Sequence, residues 1–457
     1  MATPLPRSPS TARRSTGRLR FSFLPFSSRL ALLALSSSLL LCFHMVFAAE
    51  GIASRTKTVA GHNLDPTPWH LFPHVKQQLR SIAAFRCHFL SCPRRRIPPP
   101  TMPKPRRPCP SFFRWIHRDL QPWRRSRISP AMAAEAGRHG AMRVVNLEGK
   151  RLFVDLYYAC VQSRAMFTIW GLLQLLRRCP GVVPDVELMF DCMDRPSVNR
   201  SEYCPDNGGA DGSHLPPPPP LFRYCTTRDH LDIPFPDWSF WGWPEINIKP
   251  WDEEFQNIKL GSQTMKWRKR ARTAYWKGNP DVQSPVREAL LSCNDSKMWG
   301  AQIMHQDWIE ESRSGFQKSS LSNQCSHRYI IYAEGYAWSV SLKYIMACGS
   351  LALIIEPQNE DFFSRGLVPK ENYWPISPTD LCPSIKFAVE WGNRNPSKAE
   401  AIGKKGQAFM QELNLDQVYD YMYHLIAGFQ ASSSVVGSRG LRGVHSLRCR
   451  QAAKRVA

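Results

Sequence analysis

Hydrophobic and polar positions change period several times along this chain, and each change marks an element. Arg143 to Leu156 alternates around a turn at Glu148-Gly149, a period of two that predicts a β-hairpin. From Arg164 to Arg178 the period lengthens. Phe167, Trp170, Leu172, Leu173, Leu175 and Leu176 then share one broad face, an amphipathic helix that Pro180-Gly181 ends. Val186 to Phe190 is a short apolar run, read as a buried strand, and it runs straight into Asp191-Cys192-Met193-Asp194-Arg195-Pro196. Further on, Arg328 to Ala333 is β-type and Ala337 to Ala347 reads as a helix of roughly three turns. Its buried face would carry Trp338, Leu342, Ile345 and Met346, and Leu351 to Ile355 follows as a second buried strand. A last helical region runs from about Ser397 to Ile426. Strand–helix alternation in both halves predicts an α/β protein of two lobes, about 109–250 and 251–426, with a cleft between them.

Other stretches lack such periods. Residues 50–108 read as a largely disordered stem, with CPRRRIPPPTMPKPRRP as the part least suited to a core. Residues 205–220 (PDNGGADGSHLPPPPP) read as a surface loop, and 427–457 as a basic, disordered tail. Leu30 to Ala49 has no formal charge and is long enough to span a bilayer, and six arginines precede it in the basic tail 1–29. That predicts a signal-anchor at 30–49 with the rest of the chain lumenal. A cleaved signal ending near Ala48-Ala49 and an organellar transit peptide remain as alternatives.

Charge changes the picture less than its total implies. The formal balance is +23 over 457 residues, but the excess sits in residues 1–150 and 427–457. The middle is nearly neutral, so nucleic acid is not expected as a partner. Fourteen cysteines with no CxxC pair fit an oxidising lumen better than a zinc site. Two sequons, at Asn199 and Asn294, fit the same compartment.

Few residues carry chemistry by position alone. Asp191 and Asp194 follow the end of a buried strand, where open α/β sheets place ligand-contacting groups, although either could simply cap a turn. Ser339, Ser341 and Lys343 begin the helix of the second unit, where an anion could sit, or where they form an ordinary cap and a solvated lysine. Lys277-Gly278-Asn279 and Arg287 add positive charge beside small residues. The run Phe235 to Trp251 holds four Trp and two Phe, enough for a wall against a planar ligand or simply for core. Neither a GxGxxG fingerprint nor a P-loop occurs, and no Asp-x-Asp triplet occurs either. The charge of a nucleotide ligand would therefore fall to Lys, Arg and helix ends.

Seven motifs then occur in order between Cys109 and Ile426: CPSFFRWIHRDLQPW, ELMFDCMDRP, FPDWSFWGWPEINIKPW, AYWKGN, DWIEES, QCSHRYIIYAEGYAWSVSLKYIMACGS and NYWPI. Together they resemble the CAP10 family of glycosyltransferases, which includes the Rumi-type protein O-glucosyltransferases, and its plant branch in particular. The resemblance implies a GT-B arrangement of two Rossmann-like lobes over 109–426. It also implies inverting transfer of glucose or xylose from a UDP-sugar to a hydroxyl of a protein or glycan, with no cofactor and no required metal. Asp194 would be the general base. Donor contacts would come from Lys249, Asn279, Arg287 and the loop Tyr336, Ala337, Trp338, Ser339, Val340 and Ser341. Rumi-type members carry an arginine where Ser341 stands, so Lys343 or Lys277 is expected to replace it. The resemblance pairs Cys325 with Cys348. The arginine-rich leader and apolar span predict a single-pass type II protein of the Golgi or endoplasmic reticulum membrane. A family member that binds sugar or glycan without turnover is the alternative.

Overall fold

Two β-sheets organise the chain. The computed structural model describes residues 109–203, 216–316 and 320–434, with the backbone of the strand Lys57–Thr58 (β1). All of these belong to one compact unit, 51–457. The leader, the apolar span and most of the segment read as stem lie outside the described residues. Among the described residues, no helix is long and apolar enough to cross a membrane.

The first sheet has the order β1-β3-β2-β4-β5-β6, where β2 is Met142–Leu147, β3 Arg151–Leu156, β4 Val186–Phe190, β5 Leu221–Arg223 and β6 Ile233–Pro234. Its β2–β3 hairpin is the one read from the alternation, turning through Glu148 and Gly149, both at positive φ. A tight turn can only join antiparallel strands, so this sheet is mixed. Parallel pairing is confined to β4–β5–β6. The unit is less purely Rossmann-like than expected.

The second sheet is all parallel, with the order β11-β10-β9-β7-β8. Here β7 is Ala271–Gly278, β8 Ala301–His305, β9 His327–Tyr332, β10 Leu351–Ile355 and β11 Trp374–Ile376. Every residue of β10 is buried, as expected for a strand covered on both faces.

Helix α1, Arg164–Arg178, has the bounds its apolar face predicted. Trp241 lies so close to it that a Cβ at Gly171 would fall 2.2 Å from the indole, which explains a glycine within a helix. Trp238, Trp241 and Trp251 are almost wholly buried, so most of the tryptophan-rich run is core.

The helix after β9 is shorter than its sequence pattern indicated. Helix α2 spans Ser341–Ala347, and residues 336–340 form a turn before it. The backbone there bonds to side chains instead: Tyr332 Oη accepts from the Ser339 N–H, and Arg195 Nε donates to Tyr336 O. The C-terminal region divides into Leu381–Arg394 (α3), Pro396–Glu412 (α4) and Leu415–Ala431 (α5). Asn414 caps α5 by accepting from the Gln417 N–H. This last helix continues past Ile426, where a disordered tail was expected to begin. Phe429 is buried against Phe222, and Ser432 to Ser434 bond to Ile128. The rest of that tail lies outside the described residues.

Cys325 and Cys348 form a disulfide that ties the turn before β9 to the end of α2. Closing a loop of sequence separation 23 stabilises the native state by about 3 kcal/mol on loop-entropy grounds. Cys348→Ser is expected to lower the denaturation free energy by about that amount. A peptide map made without reduction should contain the cross-linked pair, and two free thiols would contradict the pairing.

Candidate active site

In the second sheet, β8 leaves β7 on one side while β10 and β11 leave β9 on the other. The strand order reverses between β7 and β9. Loops leaving adjacent strands there diverge, opening a crevice beyond the carboxyl ends of the strands where α/β sheets bind ligands. A cavity of about 830 Å³ lies at this point. Trp276, Asn279, Arg287, Gly335 and Ser339 line it from the second sheet, and Arg164, Asp194, Trp238 and Trp243 from the segments around the first. That volume suits a ligand of nucleotide-sugar size.

Arg287 is the cation at the reversal. It rides on a short helix, Pro285–Leu291, which Ser284 caps by accepting from the Arg287 N–H at 3.3 Å. Its guanidinium donates to Asn279 O at 2.8 Å, Ala333 O at 3.2 Å and Ser339 Oγ at 3.4 Å. All three acceptors are neutral, Nε is buried without a hydrogen bond, and no carboxylate among the described residues pairs with this side chain. Burial pushes its pKa down, partly offset by Tyr332 and Glu334. A partly desolvated guanidinium with no carboxylate in contact, facing a cavity, is a site for an anion. A Cβ at Gly335 would come within 3.3 Å of Arg287 Nη2, so glycine keeps this approach open.

Asp194 faces the same cavity with about a third of its side chain exposed. Its Oδ1 accepts from Arg164 Nη1 at 2.6 Å, and Arg164 lies over the Trp238 ring at 4.3 Å. The ion pair fixes one carboxylate oxygen, and a carboxylate so positioned can take a proton. A disulfide between Cys160 and Cys192 pins the loop that carries Asp194 to the end of the hairpin.

Asp191 occupies a different environment. It is buried, pairs with Arg223, accepts from Tyr158 Oη and from the Cys192 N–H, and does not line the cavity. Arg223 also pairs with Asp232 at 3.1 Å. Asp191 is thus a buried ion-pair member, where the sequence offered a ligand contact or a turn cap. Asp191→Asn removes one of two carboxylates from Arg223 and is expected to cost about 2 kcal/mol. Chemical denaturation checks this, and an unchanged midpoint would contradict the role.

Most of the expected donor contacts converge here. Lys249, Lys277, Asn279, Arg287, Tyr336, Trp338, Ser339, Val340 and Ser341 all line the cavity. Lys249 pairs with Glu253 at 2.7 Å and Lys277 with Glu311 at 2.6 Å. Ala337 is buried and is not among the lining residues. Lys343 does not reach the cavity either. It is 1 % exposed, donates to Ser239 Oγ at 2.7 Å and pairs with Asp237 at 3.4 Å. It ties α2 to the tryptophan-rich segment, so of the two lysines expected to replace the family arginine only Lys277 is placed to do so. The Ser339 and Ser341 N–H groups are also engaged, by Tyr332 Oη and Ser339 Oγ, and the row of free donors expected at the helix start is therefore depleted. Trp238 and Trp243 give the aromatic run a second role as cavity wall. Arg164 carried no sequence signal beyond its place at a helix start. Away from the cavity, Asn294 is exposed and Asn199 half-buried.

The model of glycosyl transferase family 90 matches residues 104–436. Protein O-glucosyltransferase 1 of Rattus norvegicus is 26 % identical over 337 residues, covering 70 % of this chain and 80 % of the relative. O-glucosyltransferase rumi of Drosophila melanogaster is 22 % identical over 317 residues, covering 66 % and 72 %. Among solved structures, a sucrose-phosphate synthase from Thermosynechococcus elongatus aligns over 41 % of this chain and 45 % of its own at 16 % identity. The TM-score is 0.25, which carries no argument about the fold.

Proposed function

This chain belongs to glycosyl transferase family 90, and on that premise we propose that it moves glucose or xylose from a UDP-sugar to a hydroxyl of a protein or glycan, with inversion at the anomeric carbon. One observation carries this reading most: a guanidinium without a paired carboxylate, Arg287, and a carboxylate about a third exposed, Asp194, face one cavity from the two sheets' sides. The donor diphosphate takes the Arg287 end, with Lys249 and Lys277 adding positive charge. The sugar lies between this end and Asp194, against the walls formed by Trp238 and Trp243.

Asp194 accepts the proton of the acceptor hydroxyl as that oxygen attacks the anomeric carbon. The bond from that carbon to the β-phosphate oxygen breaks on the opposite face, and UDP leaves with the electron pair. One displacement inverts the configuration. Charge grows on the departing phosphate, and a guanidinium already held by Asn279 O, Ala333 O and Ser339 Oγ stabilises it without reorganising. No metal is required in this scheme.

The reading extends to a two-lobed GT-B arrangement and to a type II protein of the Golgi or endoplasmic reticulum. Three disulfides among the described residues and the sequons at Asn199 and Asn294 support that compartment. The test is UDP release by the purified full-length chain from a panel of UDP-sugars. Release above background from UDP-glucose or UDP-xylose supports the proposal. Binding of these donors without release would make the chain a sugar-binding family member instead.

A further inference from the structure

Arg195 follows Asp194 directly and is used by none of the steps above. Its side chain reaches out of the base loop to the other wall of the cavity. There Nε donates to Tyr336 O at 3.3 Å, and the guanidinium stands 3.9 Å from the centre of the Tyr336 ring. Both contacts fall on one residue, which lines the cavity immediately after Gly335. The base loop is firmly held behind them: Arg223 donates to Arg195 O, and Cys225 Sγ donates to Asp194 O at 3.2 Å. Tyr336 is 40 % exposed while Ala337 and Trp338 beside it are buried, so its carbonyl and its ring are the part of this loop that Arg195 can grip.

We propose that Arg195 is a positioning residue that sets the 335–340 loop against Asp194, so that donor placement and base placement are coupled through Tyr336. The inference rests on the glycosyltransferase reading above. An exposed stack of arginine on tyrosine is often mere surface decoration. Here it joins the residue after the base to the residue after the donor-side glycine, and a displacement of one is passed to the other. A small error in that distance is costly in a displacement reaction, which needs the attacking oxygen and the anomeric carbon aligned.

The test is a double-mutant cycle in the full-length chain, with UDP release from UDP-glucose and UDP affinity measured in parallel. Arg195→Ala is expected to lower kcat/KM about tenfold, less than one exposed cation–π contact and one charge-assisted hydrogen bond together, because only the part of their energy that aligns the loop is lost from the transition state. Most of the loss should fall in kcat, with UDP affinity changed less than about threefold. Arg195→Lys keeps the charge without the planar fork and should fall between wild type and alanine. In a Tyr336→Ala background, which removes the ring contact but keeps the carbonyl acceptor, Arg195→Ala should cost about threefold rather than tenfold. Wild-type-like kinetics for Arg195→Ala, or losses that multiply in the double variant, would overturn the coupling. Absence of both UDP binding and UDP release in the wild-type chain would instead overturn the glycosyltransferase reading itself.

Discussion

Asp194→Asn should leave the fold and UDP binding intact while sugar transfer falls by about 10²–10⁴-fold, the usual contribution of a general base. The amide keeps the size of the carboxylate, and its oxygen can still accept from Arg164 Nη1, which now holds Oδ1 at 2.6 Å. What it loses is basicity. The barrier rises by about 3–5 kcal/mol, almost all of it in kcat, because the proton is taken only as the hydroxyl attacks. Asp191→Asn gives the opposite pattern: a stability loss with near-normal turnover in the fraction that stays folded. Near-normal transfer by Asp194→Asn beside a well-folded, inactive Asp191→Asn would move the base three residues back.

Arg287→Lys is the second large effect expected. Lysine keeps the charge but cannot span Asn279 O, Ala333 O and Ser339 Oγ, nor present a fork to a diphosphate. A charge-assisted hydrogen bond of this type is worth about 1.5–3 kcal/mol, so UDP affinity should fall about 10–100-fold. Stability should change by only about 1 kcal/mol, since Asn279 and Ser339, two of the three freed partners, line a cavity that water can enter. Titration of UDP into both proteins measures the effect. Equal affinities would remove Arg287 from the donor site.

The parts of the fold legible in sequence are those governed by local pattern. The hairpin, α1 and β4 appear where the periodicity placed them, because Gly149, Pro180 and Gly181 punctuate long, unambiguous apolar patterns. The start of α2 was misread for the opposite reason. Its pattern suits a helix from Ala337, but Arg195, far off in sequence, holds the Tyr336 carbonyl, and residues 336–340 stay outside the helix. Lys343 shows the same limit at the site. A lysine near a helix start looks solvated until Asp237 and Ser239, about a hundred residues earlier, are folded around it. The disulfides Cys160–Cys192 and Cys293–Cys382 were also illegible, since fourteen cysteines permit too many pairings. The aspartate and the arginine proposed for the chemistry were found through motif resemblance. Their opposite states, one ion-paired and one with no carboxylate in contact, required coordinates.

The central claim is that the cavity at the β7–β9 reversal holds a nucleoside diphosphate sugar against Asp194. Calorimetric titration of UDP-glucose into the full-length Asp194→Asn variant tests it most directly, because binding is read without turnover. The account predicts saturable binding of one molecule per chain, competed by UDP and weakened at least tenfold when Arg287→Lys is added. No saturable binding, or binding indifferent to Arg287, would contradict it.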